Sequence, residues 1–491
     1  MMIDPNVLVT SASTGMLPAE EAFDLRKALT ADYGTDVANL TGGGALRLQS
    51  LDTTLQSTIQ DNQHFRLFNK LAKPQVTATV DEWTEVSSVG GFLGGSTTSE
   101  SGAISDATGN YHRRVGMVKY LMTRRQVSFV TSLQNAIAEA EAVEFQNGAL
   151  QLLTDAEFLC FEGDSTVIPT EFDGIAAQIS QGVASGDIDD DHLLDARAQS
   201  LASIALVNRA AATIAAYGNF GMPTDLFMSQ QVQADFDTAL DPAFRVPLTD
   251  VPSGGVALGA PVRGIRTSWG DIATNPDVFI RDEVLQMPFE LRYPAVATAQ
   301  AGLMPQGVTA TAAVAASSQF GSTQAGSYYY YVTGVNASGQ STGVTSAPVA
   351  VTAGENVTLT ITASSSGQET GYVIYRSRLN GGNAVSGLPL VMSDFREMIR
   401  IPKAGATTPH TDANRDIPGT SKAFVLNLAS SASAMTWRQL LPMLKFPLYP
   451  TQSAVIPWAQ MLFGYLRISK RRQHVMIKNI LPTNAVWRPF N

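Results

Sequence analysis

The chain has 491 residues and a formal net charge of −10; 44% of its residues are apolar and only 15% are charged. This length can supply two to four domains with large cores. The acidic balance disfavours a general nucleic-acid binder, because contacts to phosphate need clustered lysine and arginine. Sparse charge favours a protein whose surface largely contacts other subunits, because interface cores are depleted in charged residues.

Cysteine use and the terminal sequence restrict the class further. Cys160 is the only cysteine, so disulfides within the chain are excluded and a reducing compartment is weakly favoured. The N-terminal sequence MMIDPNVLVT lacks the basic and apolar regions of a secretory signal, so we expect no such signal. No uncharged apolar run reaches the length needed to span a bilayer, so we expect no membrane partner.

The first predicted part, residues 1–73, is an extended arm that carries short helices. After the flexible TGGG segment, apolar residues recur at helical spacing along LRLQSLDTTLQSTI. From this part, Leu51, Leu55 and Phe65 are candidates for contact with a neighbouring subunit.

Residues 74–128 are predicted to form a long two-stranded excursion. QVTATVDEWTEV alternates as a strand does, and RRVGMVKYLMTRRQVSF is the expected returning strand, with the glycine-rich GGFLGGSTTSESG between them. An isolated hairpin is marginally stable, so we expect this one to lie on a neighbouring subunit. The candidate contact residues here are Trp83, Gly90, Gly91, Phe92, Leu93, Gly94, Gly95, Arg113 and Arg114.

A long helix is predicted from Thr131 to Phe161, within a part that spans residues 129–190. Gly148 lies mid-helix and is expected to mark a bend. Residues 191–304 follow. There, DDDHLLDARAQSLASIALVNRAAATIAAY predicts a second helix, DLFMS a short strand, and VRGIRTSWGDIATNPDVFI two strands joined by a turn.

The composition changes at residues 305–412. Only one charged residue, Glu355, occurs between positions 306 and 368, and strand-like segments such as VAVTAGENVTLTITA and GYVIYRSR are separated by turn residues. This spacing predicts a β-sandwich of about 100 residues. Because mixed sequence resumes over residues 413–491, the sandwich is predicted to be an insertion into a parent domain.

Four consecutive tyrosines lie in this insertion. In a strand, Tyr328 and Tyr330 would fill the sandwich core, whereas Tyr329 and Tyr331 would form outward surface. YYYYVTGVNASGQSTG and TGYVIYRSR resemble strands of immunoglobulin-like or fibronectin type III domains. A sugar-binding role for the two outward tyrosines is an alternative to a purely structural one.

The sequence offers no catalytic or metal-binding motif. The five histidines are scattered, and no glycine cluster is followed by Lys-Ser or Lys-Thr. GDIDDDH lacks the glycine and the final carboxylate of a calcium loop, and the basic run SKRRQH fits a strand-end turn or a subunit contact. We therefore expect no enzymatic activity, no cofactor, and no catalytic or metal site.

Taken in order, these parts resemble the major capsid proteins of tailed bacteriophages. The resemblance is carried by the arm, the hairpin, the long helix ending in EFLCFEGDS, then EFDGIAAQI, PTDLFMS and the closing HVMIKNIL. It implies the α+β fold named after bacteriophage Hong Kong 97. In those terms, the parts would be the N-arm (1–73), the E-loop hairpin (74–128), the spine helix and P-domain (129–190), part of the A-domain (191–304), an immunoglobulin-like insertion (305–412), and a return to the A- and P-domains (413–491).

The resemblance also implies a function. Subunits would assemble into hexamers and pentamers of an icosahedral phage head that encloses double-stranded DNA without specific binding, with portal, scaffold and possible decoration proteins as partners. Assembly would occur in the host cytoplasm, and the protein would reside in the virion. In the type member, an E-loop lysine forms an isopeptide bond with a neighbour's asparagine. Because no lysine lies between Lys73 and Lys119, we expect a shell that is held non-covalently.

Two other functions fit parts of the sequence. An encapsulin-type nanocompartment shell would share the fold, and a surface or fibre protein could bind carbohydrate through the inserted domain. The lack of a secretory signal counts against the second, whereas the chain length and the insertion favour a phage capsid over the first. Neighbouring genes would discriminate, since a phage would supply portal and terminase, and a nanocompartment a cargo enzyme.

Overall fold

The computed structural model describes residues 64–104, 106–133, 140–201, 203–239, 263–292, 299–381, 390–450 and 453–490. Its helices are α1 (Leu67–Lys70), α2 (Phe129–Leu133), α3 (Ala140–Glu162), α4 (Ile175–Ala184), α5 (Ala205–Ala215) and α6 (Gln230–Ala239). The strands of the first half are β1 (Val80–Ser88), β2 (Asn110–Met117), β3 (Lys119–Ser128), β4 (Leu193–Gln199), β5 (Asp225–Met228), β6 (Gly264–Thr267) and β7 (Gly270–Pro276).

Further strands lie in the second half of the chain. Those between residues 307 and 412 are β8 (Gly307–Val314), β9 (Gly326–Tyr328), β10 (Tyr330–Asn336), β11 (Gly339–Thr345), β12 (Val349–Val351), β13 (Glu355–Thr362), β14 (Gly371–Ser377), β15 (Phe395–Pro402) and β16 (Thr407–Asp412). The last four are β17 (Ser421–Leu426), β18 (Met435–Pro447), β19 (Val455–Ile468) and β20 (Val475–Ile480). None of the helices in the described ranges is long and apolar enough to cross a bilayer.

A mixed six-stranded sheet, ordered β4-β20-β17-β5-β7-β6, forms the centre of the parent domain. Successive side chains of its strands point to opposite faces. Phe227 and Phe424 join the core that contains α3 and α4, whereas Leu226 and Val425 join the core formed with α5 and α6. Helices therefore cover both faces of this sheet, which explains its runs of apolar residues.

A second sheet of the parent domain, ordered β18-β19-β3, lies against α3. Gly148 of α3 is buried where the helix meets β19, and a Cβ at that position would collide with the side chain of Gln460. The helix runs without interruption through Gly148. The glycine thus permits close packing, and the expected bend at this position stays a prediction.

The predicted hairpin is present, but its returning strand is divided. β1 pairs with β2, whereas β3 leaves the hairpin and pairs with β19. Val118 separates β2 from β3; its side chain is buried and its N–H donates to the carbonyl of Thr79 at 2.9 Å. The chain therefore passes from one sheet to another at this residue.

The last residues of the predicted arm belong to the core of the chain itself. Leu67 and Phe68 are buried, and their N–H groups donate to the carboxyl of Glu157 on α3 at 2.6 and 2.7 Å. Burial, together with the neighbouring Asp277 carboxyl, raises the pKa of Glu157. Residues 64–73 are thus fixed to α3, while Leu51 and Leu55 lie outside the described residues.

One predicted helix begins later than the sequence suggested. Leu193–Gln199 forms β4, which pairs in parallel with β20, and α5 begins only at Ala205. Leu194 and Ala196 alternate into the core, so pairing with β20 overrides the local helical preference. The strand DLFMS and the two strands around Trp269 form β5, β6 and β7 as predicted. The long helix α3 runs Ala140–Glu162, and residues 134–139 of the predicted helix lie outside the described ones.

The strands between residues 307 and 412 pair only with one another, in sheets ordered β11-β10-β14-β15, β16-β13-β8 and β12-β9. Tyr328, Tyr330 and Val332 pack against residues of β13 such as Leu359. The strands that flank this segment, β7 and β17, both belong to the central sheet. This pairing supports an inserted sandwich, although its boundaries and its immunoglobulin-like type stay predictions.

The other face of the tyrosine strand does not point outward. Tyr331 is only 1% exposed and packs with Phe395 and with Val167 and Ile168 of the parent domain, and its hydroxyl accepts a hydrogen bond from the N–H of Gly343. Tyr329 is partly buried in the same cluster. The prediction of an outward surface is wrong for Tyr331 and leaves only a partial surface at Tyr329, because this face of the sheet rests on the parent domain.

The end of the chain returns to the inserted sandwich. Phe490 packs against its core, the indole N–H of Trp487 donates to the carbonyl of Asp394 at 3.1 Å, and the N–H of Leu379 donates to the carbonyl of Pro489 at 2.8 Å. Residues 487–490 therefore help to hold the insertion in place.

Candidate subunit-contact surfaces

The hairpin formed by β1 and β2 has one face that is exposed to solvent in the single chain. Val86 lies opposite Tyr111 and Val80 opposite Met117, and all four side chains are exposed. Val115 is exposed on the same face, beside the ion pair between Glu82 and Arg113. We call Val80, Val86, Tyr111, Val115 and Met117 the exposed hairpin face.

The tip that joins β1 to β2 is rich in glycine and also exposes apolar side chains. Gly90, Gly91 and Gly94 have φ values of 85°, 73° and 79°, which L-residues with side chains rarely adopt. Phe92 and Leu93 between them are 78% and 73% exposed. The tip therefore places two large apolar side chains in solvent.

The opposite face of the hairpin lies on its own chain. Asp81 accepts hydrogen bonds from Tyr465 Oη at 2.6 Å, from Arg438 Nε at 2.9 Å and from Arg467 Nη1 at 3.2 Å. Burial opposes ionisation of Asp81, but hydrogen bonds from Arg438 and Tyr465 prevail and lower its pKa below the ordinary 3.8. This carboxylate joins the start of β1 to β18 and β19.

Three of the predicted contact residues, Trp83, Arg114 and Phe65, make contacts within their own chain. The ring of Trp83 lies 5.1 Å from the guanidinium carbon of Arg467, and Arg114 pairs with Glu85 at 3.1 Å and Asp187 at 2.8 Å. Both lie on the inner face of the hairpin, because side chains alternate along a strand.

Phe65 is buried and stacks on Phe279 with ring centroids 5.6 Å apart. The Phe65 side chain therefore serves its own fold, which contradicts the predicted subunit contact, whereas Trp83 and Arg114 remain partly exposed and for them the contact stays a prediction. The sequence could not separate them from the exposed residues, because their partners come from distant segments.

A second apolar surface lies on the sheet β18-β19-β3, on the face opposite α3. Tyr120 and Met122 of β3 are exposed, as are Leu444 and Phe446 of β18, and Tyr120 meets the ring of Phe463 edge-on at 4.9 Å. We did not predict this sheet surface from the sequence; the alternation in KYLMTRRQ was the available signal. Nearly half of the exposed large apolar side chains in the described residues lie between positions 80 and 133.

Cys160 and His474 are both buried in the chain. Burial raises the pKa of the Cys160 thiol well above its ordinary value, and burial lowers the pKa of His474 to about 3. GDIDDDH contains a short turn at Asp190–His192, and SKRRQH contains one at Arg471–Gln473 between β19 and β20. Within the described ranges, no group of three or more metal-ligating side chains occurs.

Comparison with curated proteins gives relatives that share a single role. The chain is 25% identical over 478 residues to the putative major capsid protein of Enterococcus phage phiEF24C, covering 92% of this chain and 94% of that one. It is 24% identical over 467 residues to the major capsid protein of Staphylococcus phage K, covering 93% and 95% of the two chains. The chain is a relative of phage major capsid proteins. No family model matches it.

Solved structures with similar chains include the capsid of an empty GTA particle (TM-score 0.45, 10% identity, 91% of this chain and 99% of that one). They also include Gordonia phage Cozz (TM-score 0.43, 8% identity, 91% and 96%). The holo-SrpI encapsulin of Synechococcus elongatus PCC 7942 is a further one (TM-score 0.40, 9% identity, 93% and 98%). The relationship to capsid proteins rests on the sequence relatives. The predicted α+β class is confirmed. The chain contains the hairpin, the long helix, the central sheet and the inserted strands that the sequence predicted.

Proposed function

We propose that this protein is the major capsid protein of a phage and builds the shell of the head. The observation that carries the proposal is the alignment with relatives named major capsid proteins over more than nine-tenths of each chain. Those relatives are structural proteins, and the role proposed here is structural rather than enzymatic.

Two apolar surfaces support assembly with other copies of the chain. The exposed hairpin face and the face of the sheet β18-β19-β3 opposite α3 each contain several exposed large apolar side chains, and contiguous exposed apolar patches are typical of interaction sites. Burying one valine or methionine side chain stabilises by roughly 1.5–3 kcal/mol. Burial of all five side chains of the exposed hairpin face would therefore stabilise the contact by on the order of 10 kcal/mol. The free-energy cost of bringing two chains together is of similar size. Contacts with several neighbours at once would make the shell stable.

In the proposed shell, subunits form hexamers and pentamers and each hairpin lies over an adjacent subunit. The shell is held without covalent links, because residues 74–118 contain no lysine that could form an isopeptide bond. It encloses double-stranded DNA, and its acidic balance limits general adhesion to the nucleic acid. Portal, scaffold and decoration proteins, assembly in the host cytoplasm and residence in the virion belong to the same proposal.

Electron microscopy of the purified full chain tests this function. Wild-type protein should form closed shells, whereas Val115→Asp, which places a charge on the exposed hairpin face, should leave folded but unassembled subunits. Val314→Asp is the matched control, because Val314 is an 85% exposed valine in the inserted sandwich. Normal shells from Val115→Asp, or equal loss of shells from both variants, would contradict the proposed contact.

A further inference from the structure

A cleft of about 390 Å³ lies where the inner face of the hairpin, in its half nearer the tip, meets the turn between β19 and β20. One wall is formed by residues 83–87 of β1 and the other by residues 467–473. The side chains that matter for its chemistry are Trp83, Arg114, Arg467, Lys470, Arg471 and Arg472. We call this space the hairpin cleft.

Positive charge in the hairpin cleft exceeds negative charge. Five of its lining side chains are cations, but only Glu85 and Asp187 are carboxylates. Arg114 pairs with both carboxylates. Asp187 also lies 3.6 Å from Arg471. The cleft itself therefore carries three more positive than negative charges.

The remaining cations have no carboxylate partner within the cleft lining. Arg467 pairs with Asp81, which lies outside the cleft lining. Arg472 donates to backbone carbonyls, those of Ser87 at 3.2 Å and Asp187 at 3.3 Å. Lys470 is exposed and has no ion pair among the described residues. In the neighbouring turn, Asp191 is already paired with Arg209 at 2.8 Å.

Three buried donors in the cleft also lack acceptors. Trp83 Nε1, Arg467 Nε and Arg471 Nε are shielded from solvent and have no hydrogen-bond partner in the described part of the chain. A buried donor without a partner costs roughly 1–3 kcal/mol. Burial, and secondarily the charge of Arg114, lowers the pKa of Arg471. An acceptor with negative charge would supply the missing hydrogen bonds and offset the excess of positive charge.

We propose that the hairpin cleft binds a phosphate oxyanion. A phosphate group presents several acceptor oxygens and up to two negative charges, which suits donors that approach from different elements better than a single carboxylate does. Trp83 comes from the hairpin, and Arg467 and Arg471 come from the parent domain. The bound oxyanion therefore links the hairpin to the domain below it. This site is independent of the shell-forming role.

Two sources could supply this chemistry, the backbone of a nucleic acid and a free phosphate compound. The test is isothermal titration calorimetry of the folded full chain with inorganic pyrophosphate at low ionic strength. Wild-type protein binds it saturably at one site per chain. Lys470→Gln weakens binding severalfold, and the double variant Lys470→Gln/Arg471→Gln weakens it at least tenfold. Trp83→Phe, which keeps the ring but removes the N–H, also weakens it. Arg266→Gln is the matched control, because Arg266 is highly exposed and remote from the cleft lining.

A short DNA duplex distinguishes the sources. If the duplex binds with the same dependence on Lys470 and pyrophosphate displaces it, the oxyanion is a backbone phosphate; if only pyrophosphate binds, it is a free one. Absence of saturable pyrophosphate binding to wild-type protein overturns the proposal, as does equal weakening by Arg266→Gln. The proposal is also overturned if the double variant fails to assemble and the wild-type protein does not bind pyrophosphate. That result would indicate that the cleft binds a carboxylate of another copy of the chain. Micrographs of the same samples report separately on shell formation.

Discussion

Replacing Asp81 with Asn should loosen the hairpin from its own domain. The carboxylate receives hydrogen bonds from Arg438, Arg467 and Tyr465, and its side chain is only 12% exposed. Removing one partner of a fully buried charge pair costs about 3–5 kcal/mol. Because the two arginines keep some contact with solvent and Asn keeps one acceptor oxygen, we expect about 2–4 kcal/mol for the opening of the hairpin.

Hydrogen exchange of unassembled subunits measures this opening directly. A loss of about 2–4 kcal/mol corresponds to faster exchange of the β1 and β2 amides by roughly thirtyfold to several hundredfold. Glu82→Gln is the matched control, since Glu82 is the next residue and its partner Arg113 lies with it on the exposed face. An exposed ion pair is worth less than about 1 kcal/mol, so exchange in the control should change less than about fivefold.

The outcome that contradicts the reasoning is equal exchange in the two variants. That result would mean that the inner face of the hairpin is not fixed through Asp81. Faster exchange in Glu82→Gln than in Asp81→Asn would go further, because it would reverse the assignment of inner and exposed faces.

Three further predictions follow from buried groups and from composition. Burial and Asp277 raise the pKa of Glu157, so the folded state retains a proton that the unfolded chain releases. The free energy of unfolding should therefore fall as pH rises above about 4.5. Urea titrations of Glu157→Gln should show a flatter dependence of this free energy on pH, and an unchanged slope would refute the reasoning. Phe490→Ala should lower the free energy of unfolding by about 2–3 kcal/mol, measured by chemical denaturation, whereas Val486→Ala, at an exposed position, should be nearly neutral. Boiled particles should run as single chains on SDS gels, and a ladder of oligomers would contradict a non-covalent shell.

The sequence predicted those elements whose signal is local. Alternation between residues 75 and 86 predicted β1, and the change in composition near residue 305 predicted the strands that pair only among themselves. The glycine-rich tip was also predictable, because Gly90 and Gly94 adopt backbone angles that favour glycine. Each of these features depends on neighbours in sequence.

The errors all come from partners that are distant in sequence. Leu193–Gln199 looked helical but pairs with β20. The tyrosine strand alternated as predicted, yet its second face is covered by Val167 and Ile168. Phe65 is apolar in a predicted contact region, but its ring stacks on Phe279 of its own chain. A pattern of residue types does not indicate whether an apolar face will be covered by the same chain or by another one.

Electron cryomicroscopy of assembled particles tests the central claim most directly. Our account predicts closed shells in which Val86, Tyr111 and Val115 are buried against a second copy of the chain. Shells in which these three side chains remain in solvent would contradict the proposed contact. A purified chain that forms no closed particle, even with the other head proteins of its phage present, would contradict the proposed function.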